Sequence, residues 1–246
     1  MRSRWKAVRR IVSALTIGKL SQLPSEIRQQ MRDILSLGYA PRREKEILDK
    51  ILRADLIAKT PATELHEVEY QQGLVMKGAQ IFVEQVKSQL DSLSSLPTGR
   101  ELLMSLARSG RSVTIVPAPR LSEARPNNYR AASAQGKLLE WKDETGKKRT
   151  IRGNGKGSDS TINYNQNLTC IGYSEAWQRQ PPAIWLGHEL IHADDSAYGR
   201  MDPEIKDGVR NYERQAVGLP PYEKKEFTEN KLRAEWQEPQ PLRPRY

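Results

Sequence analysis

The sequence predicts an α+β protein in which a helical N-terminal region precedes a small sheet that lies beside one apolar helix. Up to about residue 110, apolar residues recur three and four positions apart, the period of amphipathic helices. Beyond residue 112, short β-branched runs alternate with glycine and proline turns, which is typical of strands. The most apolar helical stretch, residues 183–193, lies inside this second part. A hydrophobic fraction of 37% is low but sufficient for a globular core.

Residues 1–24 form a basic leader. The first 25 residues contain no acid, and six of the basic residues behind the net charge of +10 lie here: Arg2, Arg4, Lys6, Arg9, Arg10 and Lys19. Apolar residues recur at helical spacing opposite these charges, so an anionic-membrane anchor or an organelle presequence is an alternative. We favour a mobile secretion signal, with a secretion chaperone as the expected partner of the N-terminal region.

Residues 25–97 are predicted to be helical. The apolar periodicity indicates short helices over residues 25–35 and 42–59, and one long helix over residues 62–96 that is interrupted at one of its glycines. His66 lies near the start of that long helix. A lone histidine there is predicted to be a surface or capping residue, and it is not assigned to a metal site.

Residues 98–246 are predicted to form the second, mixed domain. The expected elements are a helix closed by Gly110, a strand at 112–116, an irregular loop at 118–135, a hairpin of 137–141 with 148–151, and a strand at 160–165. The glycine-rich stretch 153–157 lacks the lysine-serine pair of a phosphate-binding loop and is predicted to be a turn. The single cysteine, Cys170, excludes an internal disulfide and a thiolate zinc site.

The apolar helix carries His188, Glu189 and His192 in the order His-Glu-x-x-His. Histidines four residues apart lie above one another on one helix face, so both imidazoles can reach a single ion. Imidazole nitrogen and carboxylate oxygen are ligands of catalytic zinc, and Glu189 projects toward the position of a water at such an ion. A chance pattern on a buried helix is the alternative, but only three histidines occur in the chain and two are here.

A third zinc ligand is expected among the acidic residues that follow His192. The candidates are Asp194, Asp195, Asp202, Glu204, Glu213, Glu223, Glu226 and Glu229. Asp194 and Asp195 are too close along the same helix to reach the ion, although either could hydrogen-bond a ligand histidine. Glu213 lies in residues 211–218, which read as a short helix that ends at Gly218, and the spacing allows an antiparallel return.

Four separated motifs resemble the NleD-type zinc metalloprotease effectors of bacterial type III secretion and related toxin domains. They are Gly187-His-Glu-Leu-Ile-His-Ala193, Glu213-Arg-Gln-Ala-Val-Gly-Leu219, Phe227-Thr-Glu-Asn-Lys-Leu-Arg233 and Arg243-Pro-Arg-Tyr246. The resemblance covers residues 98–246. It implies a zincin-like fold, an edge strand at 160–165 that can pair with an extended substrate, and Glu213 as the third ligand.

The last four residues also resemble the arginine-tyrosine pair of clostridial neurotoxin light chains. That likeness implies that Arg243 and Tyr246 stabilise the developing oxyanion during peptide cleavage, while the alternative is a frayed basic tail. Glu229, Asn230 and Arg233 could support the catalytic residues or form a polar helix that simply packs on the site, and we favour the second.

The sequence therefore predicts a monomeric zinc endopeptidase with one Zn²⁺ per chain, secreted by a bacterium and acting on a protein in the host cytosol. Members of the family that it resembles cleave host MAP kinases, so a MAP kinase or another signalling protein is a candidate substrate. The alternative is a non-catalytic zinc-containing protein that binds anionic membrane or nucleic acid through its basic surface. Nucleic-acid-binding motifs are absent, as is any apolar run of about 18 residues that could cross a membrane.

Overall fold

The computed structural model describes residues 65–119, 121–142 and 145–246, and residues Glu64–Tyr246 form one compact unit. The predicted leader and the helices over residues 25–35 and 42–59 lie outside the described residues. The division of the chain into leader, helical region and protease domain stays a prediction. None of the described helices is long and apolar enough to cross a membrane.

The described chain is a mixture of helices and strands, which confirms the α+β class. The strands are β1 His66–Gln71, β2 Leu74–Gly78, β3 Val113–Pro117, β4 Glu123–Pro126, β5 Leu138–Lys142, β6 Lys148–Arg152, β7 Ser160–Tyr164, β8 Ile205–Lys206 and β9 Val209–Arg210. The α-helices are α1 Gln80–Ser94, α2 Pro97–Arg108, α3 Tyr129–Ala132, α4 Pro182–Ala197, α5 Asn211–Val217 and α6 Glu229–Glu235. A 3₁₀ turn spans Ala176–Gln178.

Five strands form the main sheet in the order β1-β2-β3-β7-β4. β2, β3 and β7 are parallel to one another, whereas β1 and β4 are antiparallel to their neighbours. Alternate residues of β3 and β7 are buried, including Val113, Ile115, Ile162 and Tyr164. These residues belong to the same core as the apolar faces of α1, α2 and α4.

The prediction of one long helix over residues 62–96 is wrong for the first half of that range. Residues 66–78 form the antiparallel hairpin β1–β2, and only α1 is helical. Gly73 adopts a φ of 78° in the turn between the strands, a conformation that glycine accepts without strain. Leu74 and Met76 are buried at the two-residue spacing of a strand, and β2 pairs with β3. This pairing stabilises a strand where the sequence pattern predicted a helix. His66 therefore lies in β1 and not at a helix start.

The strand predicted at 160–165 forms as β7, but it is not an edge strand. It is paired on one side with β3 and on the other with β4. β4 and α3 both fall in the segment predicted to be an irregular loop. The sequence of β4, Glu-Ala-Arg-Pro, contains no apolar run that would predict a strand. A short strand at a sheet edge does not need such a run. The edge next to α4 is consequently β4.

Helix α4 runs through the centre of the unit and contacts α1, α2, α5, α6, β4 and β7. Pro182 occupies its first turn, where the missing N–H costs nothing. Gly187 permits the close approach of α6, because a Cβ there would lie 2.4 Å from the Leu232 side chain. The turn at 153–157 packs on the end of this helix, where the Ser158 N–H donates to the Ser196 carbonyl over 2.9 Å.

Two further predictions are confirmed. The hairpin of residues 137–141 with 148–151 forms as β5–β6. The helix predicted from Asn211 forms as α5, and it ends at Gly218 with a φ of 84°. The small β8–β9 hairpin precedes α5 and turns the chain back toward α4.

Candidate active site

Three side chains converge on one point between α4 and α5. The Nε2 atoms of His188 and His192 are 3.1 Å apart, and the Glu213 Oε2 atom lies 3.1 Å from His192 Nε2 and 3.5 Å from His188 Nε2. Among the described residues, these three form the group of His, Cys, Asp and Glu side chains that could hold a metal ion. The structure thus brings Glu213, and none of the other acidic candidates, to the point where the Nε2 atoms of the two histidines converge.

The electrostatics of this group favour a charged carboxylate. Burial opposes ionisation of Glu213, but the charges of His192 and His188 outweigh burial and lower its pKa. Burial would also lower the pKa of His188, yet Glu213 and Glu229 raise it to about 10. In the absence of a metal, the cluster therefore holds a proton that a cation would have to displace.

Glu229 supports His188 from behind. Its Oε2 atom lies 2.9 Å from His188 Nδ1, a close contact that lacks the geometry of a hydrogen bond. The same carboxylate is fully buried and accepts hydrogen bonds from Arg233 over 2.7 Å and from Arg243 over 3.2 Å. These cations and the imidazole outweigh burial and lower the pKa of Glu229 to about 2.

This contact favours the other interpretation of Glu229, that it supports a catalytic residue. The carboxylate lies where acidic partners commonly stand behind metal-binding histidines. The signal in the sequence was an acidic residue at the first turn of a short helix. That signal is common, and it did not separate Glu229 from its acidic neighbours.

Glu189 is held by the edge strand. Its Oε2 atom accepts a hydrogen bond of 2.7 Å from the backbone N–H of Ala124 in β4. The side chain is buried, and burial raises the pKa of the carboxyl group. Glu189 thus stands next to the three converging side chains in a fixed orientation, with a pKa shifted toward neutrality.

The C-terminal segment crosses the same site. The Tyr246 ring stacks on the His188 ring with centroids 6.4 Å apart, and the Arg243 Cζ atom lies 4.4 Å from the Tyr246 ring centroid. Arg243 is tied to α6, because its N–H donates to Asn230 Oδ1 over 2.7 Å. Burial and the nearby Glu213 carboxylate raise the pKa of Tyr246. The predicted pair therefore lies at the site, and Tyr246 remains a neutral hydrogen-bond donor.

A profile of one protein family matches residues 71–246, and it describes effector proteins of peptidase family M91. The chain belongs to this family. It is therefore a protease of the effector class, which agrees with the resemblance that the four motifs carry. No curated protein sequence matches the chain.

Among solved structures, the M91 chain is similar to the catalytic domain of Clostridium botulinum neurotoxin serotype F. The two share 16% sequence identity with a TM-score of 0.40, over 63% of this chain. The chain spans about half of that structure's length, 47%.

Asp194 and Asp195 of the M91 chain do not contact the converging histidines. Asp194 accepts a hydrogen bond from Ser105 over 2.7 Å and pairs with Arg200, while Asp195 pairs with Lys225. Burial raises the pKa of Asp194 to about 6. The expectation that one of them could orient a ligand histidine is wrong, and their role is to anchor the far end of α4.

Two clefts open on either side of His188 and Glu189 in the M91 chain. The first, here the tryptophan cleft, has a volume of about 500 Å³. Its lining includes Leu121, Ile171, Trp177, Trp185 and Arg245. The second, here the tyrosine cleft, has a volume of about 330 Å³. Its lining includes Glu123, Pro126, Tyr129, Met201 and Tyr212. An extended peptide that follows β4 past Glu189 would therefore enter both clefts.

Proposed function

We propose that this M91 protein is a zinc-dependent endopeptidase that holds one Zn²⁺ on His188, His192 and Glu213. The convergence of their three donor atoms carries the proposal. The atoms are 3.1 to 3.5 Å apart, and the ligands of a tetrahedral zinc ion at about 2.1 Å are spaced by roughly 3.4 Å. Two nitrogens and one carboxylate oxygen also match the ligand sets of catalytic zinc, which leave one position open.

When bound, zinc would polarise the scissile carbonyl and a water molecule and lower the pKa of that water toward neutrality. Glu189 takes the proton of the attacking water and passes it to the leaving amine. Two observations support this role: the Ala124 N–H holds the carboxylate in place, and burial raises its pKa toward the range in which it can both accept and release a proton. A protein that only bound its target would have no need of a positioned base here.

Tyr246 and Arg243 are proposed to stabilise the oxyanion that develops on the scissile carbonyl. Tyr246 stays protonated and stacks on His188, so its hydroxyl is close enough to the site to act as a donor. Arg243 lies against the face of that ring and contributes positive charge, but it also pairs with the buried Glu229. We therefore assign Tyr246 the direct contact and Arg243 a mixed role that includes holding the segment in place.

The substrate is proposed to be a protein in the host cytosol, which the effector reaches after secretion. Membership of an effector family implies a target in a host cell. A MAP kinase or another signalling protein is the candidate that the sequence resemblance suggests. A secretion chaperone for the N-terminal region and a monomeric state stay predictions.

Metal analysis and cleavage mapping together test this function. Purified wild type should contain one zinc per chain and generate new N-termini in host-cell lysate, as detected by mass spectrometry. Glu189→Gln should keep the zinc and the melting temperature but abolish those termini, because only the proton acceptor is lost. Glu204→Gln, at a surface glutamate, is the matched control and should cleave like wild type. Cleavage that persists in zinc-loaded Glu189→Gln would contradict the mechanism, and zinc binding without any cleavage by wild type would favour the binding-protein alternative.

A further inference from the structure

The tyrosine cleft differs from the tryptophan cleft in charge. Beside His188 and His192, the tyrosine cleft is lined by the carboxylates of Glu123, Glu189 and Glu213 and by no described lysine or arginine, whereas the tryptophan cleft is lined by Arg243 and Arg245 as well as by Glu175 and Glu189. Glu189 and Glu213 already have roles in the proposed reaction. Glu123 is therefore the charge in the tyrosine cleft that the proposed mechanism does not use.

We infer that the tyrosine cleft selects a lysine or arginine side chain close to the cleaved bond, with Glu123 as its anionic partner. This inference rests on the proposed function, since it names the substrate class of that same site.

The path of the peptide follows from the hydrogen bonding of β4. Asn127 donates to Asp159 next to β7, whereas Ala124 donates to Glu189 on the opposite side. Because backbone groups alternate sides in an antiparallel ladder, Ala124 and Pro126 direct their carbonyls away from β7. Pro126 has no N–H and the Ala124 N–H is used by Glu189, so this edge binds a peptide through the peptide's own N–H groups.

The strand β4 borders the tyrosine cleft along its length. Glu123, Ala124 and Pro126 all line this cleft. A peptide that pairs along β4 next to Glu189 therefore places side chains close to the cleaved bond in the tyrosine cleft.

The walls of the tyrosine cleft suit a long cationic side chain. The rings of Tyr129 and Tyr212, with Met201, offer apolar and aromatic surface to the methylene stem. An aromatic face also attracts a cation by about 0.5–1 kcal/mol at an exposed site. Glu123 then supplies the opposite charge at the cleft.

Arg125 and Arg210 lie near this cleft, and neither lines it. Arg125 pairs with Glu123 over 2.7 Å, with 60% and 54% of the two side chains exposed. An ion pair so exposed contributes about 0.2–1 kcal/mol, so a substrate cation can replace Arg125. Arg210 directs its two Nη atoms to the backbone carbonyls of Pro203 and Glu140. Arg125 is therefore the cation that a substrate would displace from Glu123.

A peptide library tests the selection directly. The library is made by digesting a cell lysate with an enzyme that cuts after acidic residues, so that lysine and arginine remain inside the peptides. Mass spectrometry of the products of zinc-loaded wild type should show lysine and arginine enriched within about three positions of the cleaved bond. Glu123→Gln should lower that enrichment by about 1.5-fold to 5-fold, the range that corresponds to an exposed ion pair.

Two further variants give results of opposite sign. Glu123→Lys should replace the basic preference with a preference for aspartate and glutamate. Arg125→Gln, the matched control on the same strand, should increase the basic preference because it removes the competing cation. The inference would be overturned if wild type showed no preference for basic residues, or if wild type and both Glu123 variants showed the same preference. Cleavage itself would still support the proposed function in either case.

Binding to the zinc-loaded Glu189→Gln variant separates the two proposals. Two labelled peptides that differ by lysine or glutamate at the most enriched position are titrated by fluorescence polarisation. If nothing is cleaved, two peptides that carry lysine or glutamate at every second position are used instead. Tighter binding of the lysine peptide, reduced by adding Glu123→Gln, supports the inference even if no cleavage occurs. Equal binding of the two peptides overturns it.

Discussion

Removal of the Glu229 charge should weaken both the fold and the metal site. In Glu229→Gln the side chain keeps its size, but the buried Arg233 and Arg243 lose their anionic partner and His188 loses the acceptor behind its ring. Loss of one partner from a buried ion pair costs about 3–5 kcal/mol, because the remaining charge stays buried. We expect the lower end of that range, since the amide oxygen can still accept one hydrogen bond.

The pKa of Glu229 leads to a similar magnitude. The folded protein lowers it from an ordinary value of 4.5 to about 2, and each pKa unit corresponds to about 1.4 kcal/mol, so the carboxylate contributes about 3 kcal/mol. Because the folded pKa is the lower one, this stability is present above pH 4.5 and is lost as the pH falls from 4.5 toward 2. The difference between wild type and Glu229→Gln should therefore shrink over that pH window.

Thermal unfolding and zinc competition measure the two effects. For a unit of this size, about 3 kcal/mol corresponds to a melting temperature lower by roughly 6–12 °C. Zinc affinity, measured against a competing chelator, should fall by about tenfold to a hundredfold. Glu226→Gln makes the same chemical change at an exposed position and should alter neither quantity. A Glu229→Gln protein that melts and binds zinc like that control would refute the proposed support of His188.

Three other substitutions test separate parts of the site. Glu213→Ala should reduce zinc content far more than Glu204→Ala, since Glu204 lies on the surface; metal analysis that shows the reverse ranking would mean that the third ligand is misassigned. Tyr246→Phe should lower kcat by about 10²-fold to 10³-fold with zinc content and KM nearly unchanged, and unaltered turnover would remove this hydroxyl from the reaction. Gly187→Ala should destabilise the protein by about 1–3 kcal/mol in chemical denaturation, because the new methyl group would lie 2.4 Å from Leu232. This loss should exceed the gain from alanine's better helix propensity. Equal or greater stability would show that α6 can move away without cost.

The segment that carries Arg243 has a larger structural role than its sequence suggests. Arg243 pairs with Glu229, and its backbone exchanges two hydrogen bonds with the Asn230 side chain. Loss of activity in Arg243→Ala would therefore combine lost charge at the site with lost anchoring of the tail. Tyr246→Phe is the cleaner test of oxyanion stabilisation, because it leaves these contacts in place.

The sequence by itself determined the features that depend on neighbours along the chain. The helical period places His188 and His192 on one face of α4 with Glu189 beside them, and Pro182 and Gly218 mark where α4 begins and α5 ends. Local physics suffices for these features, because helix geometry and backbone preferences act over a few residues.

Only the tertiary structure decided the features that depend on distant segments. The strand nature of residues 66–78 comes from pairing with β3, and the edge position of β4 comes from the order in which strands meet. The choice of Glu213 among eight acidic candidates, and the contact of Glu229 with His188, depend on how α5 and α6 pack on α4. Such contacts arise from burial and packing between residues far apart in the chain, and no short-range pattern encodes them.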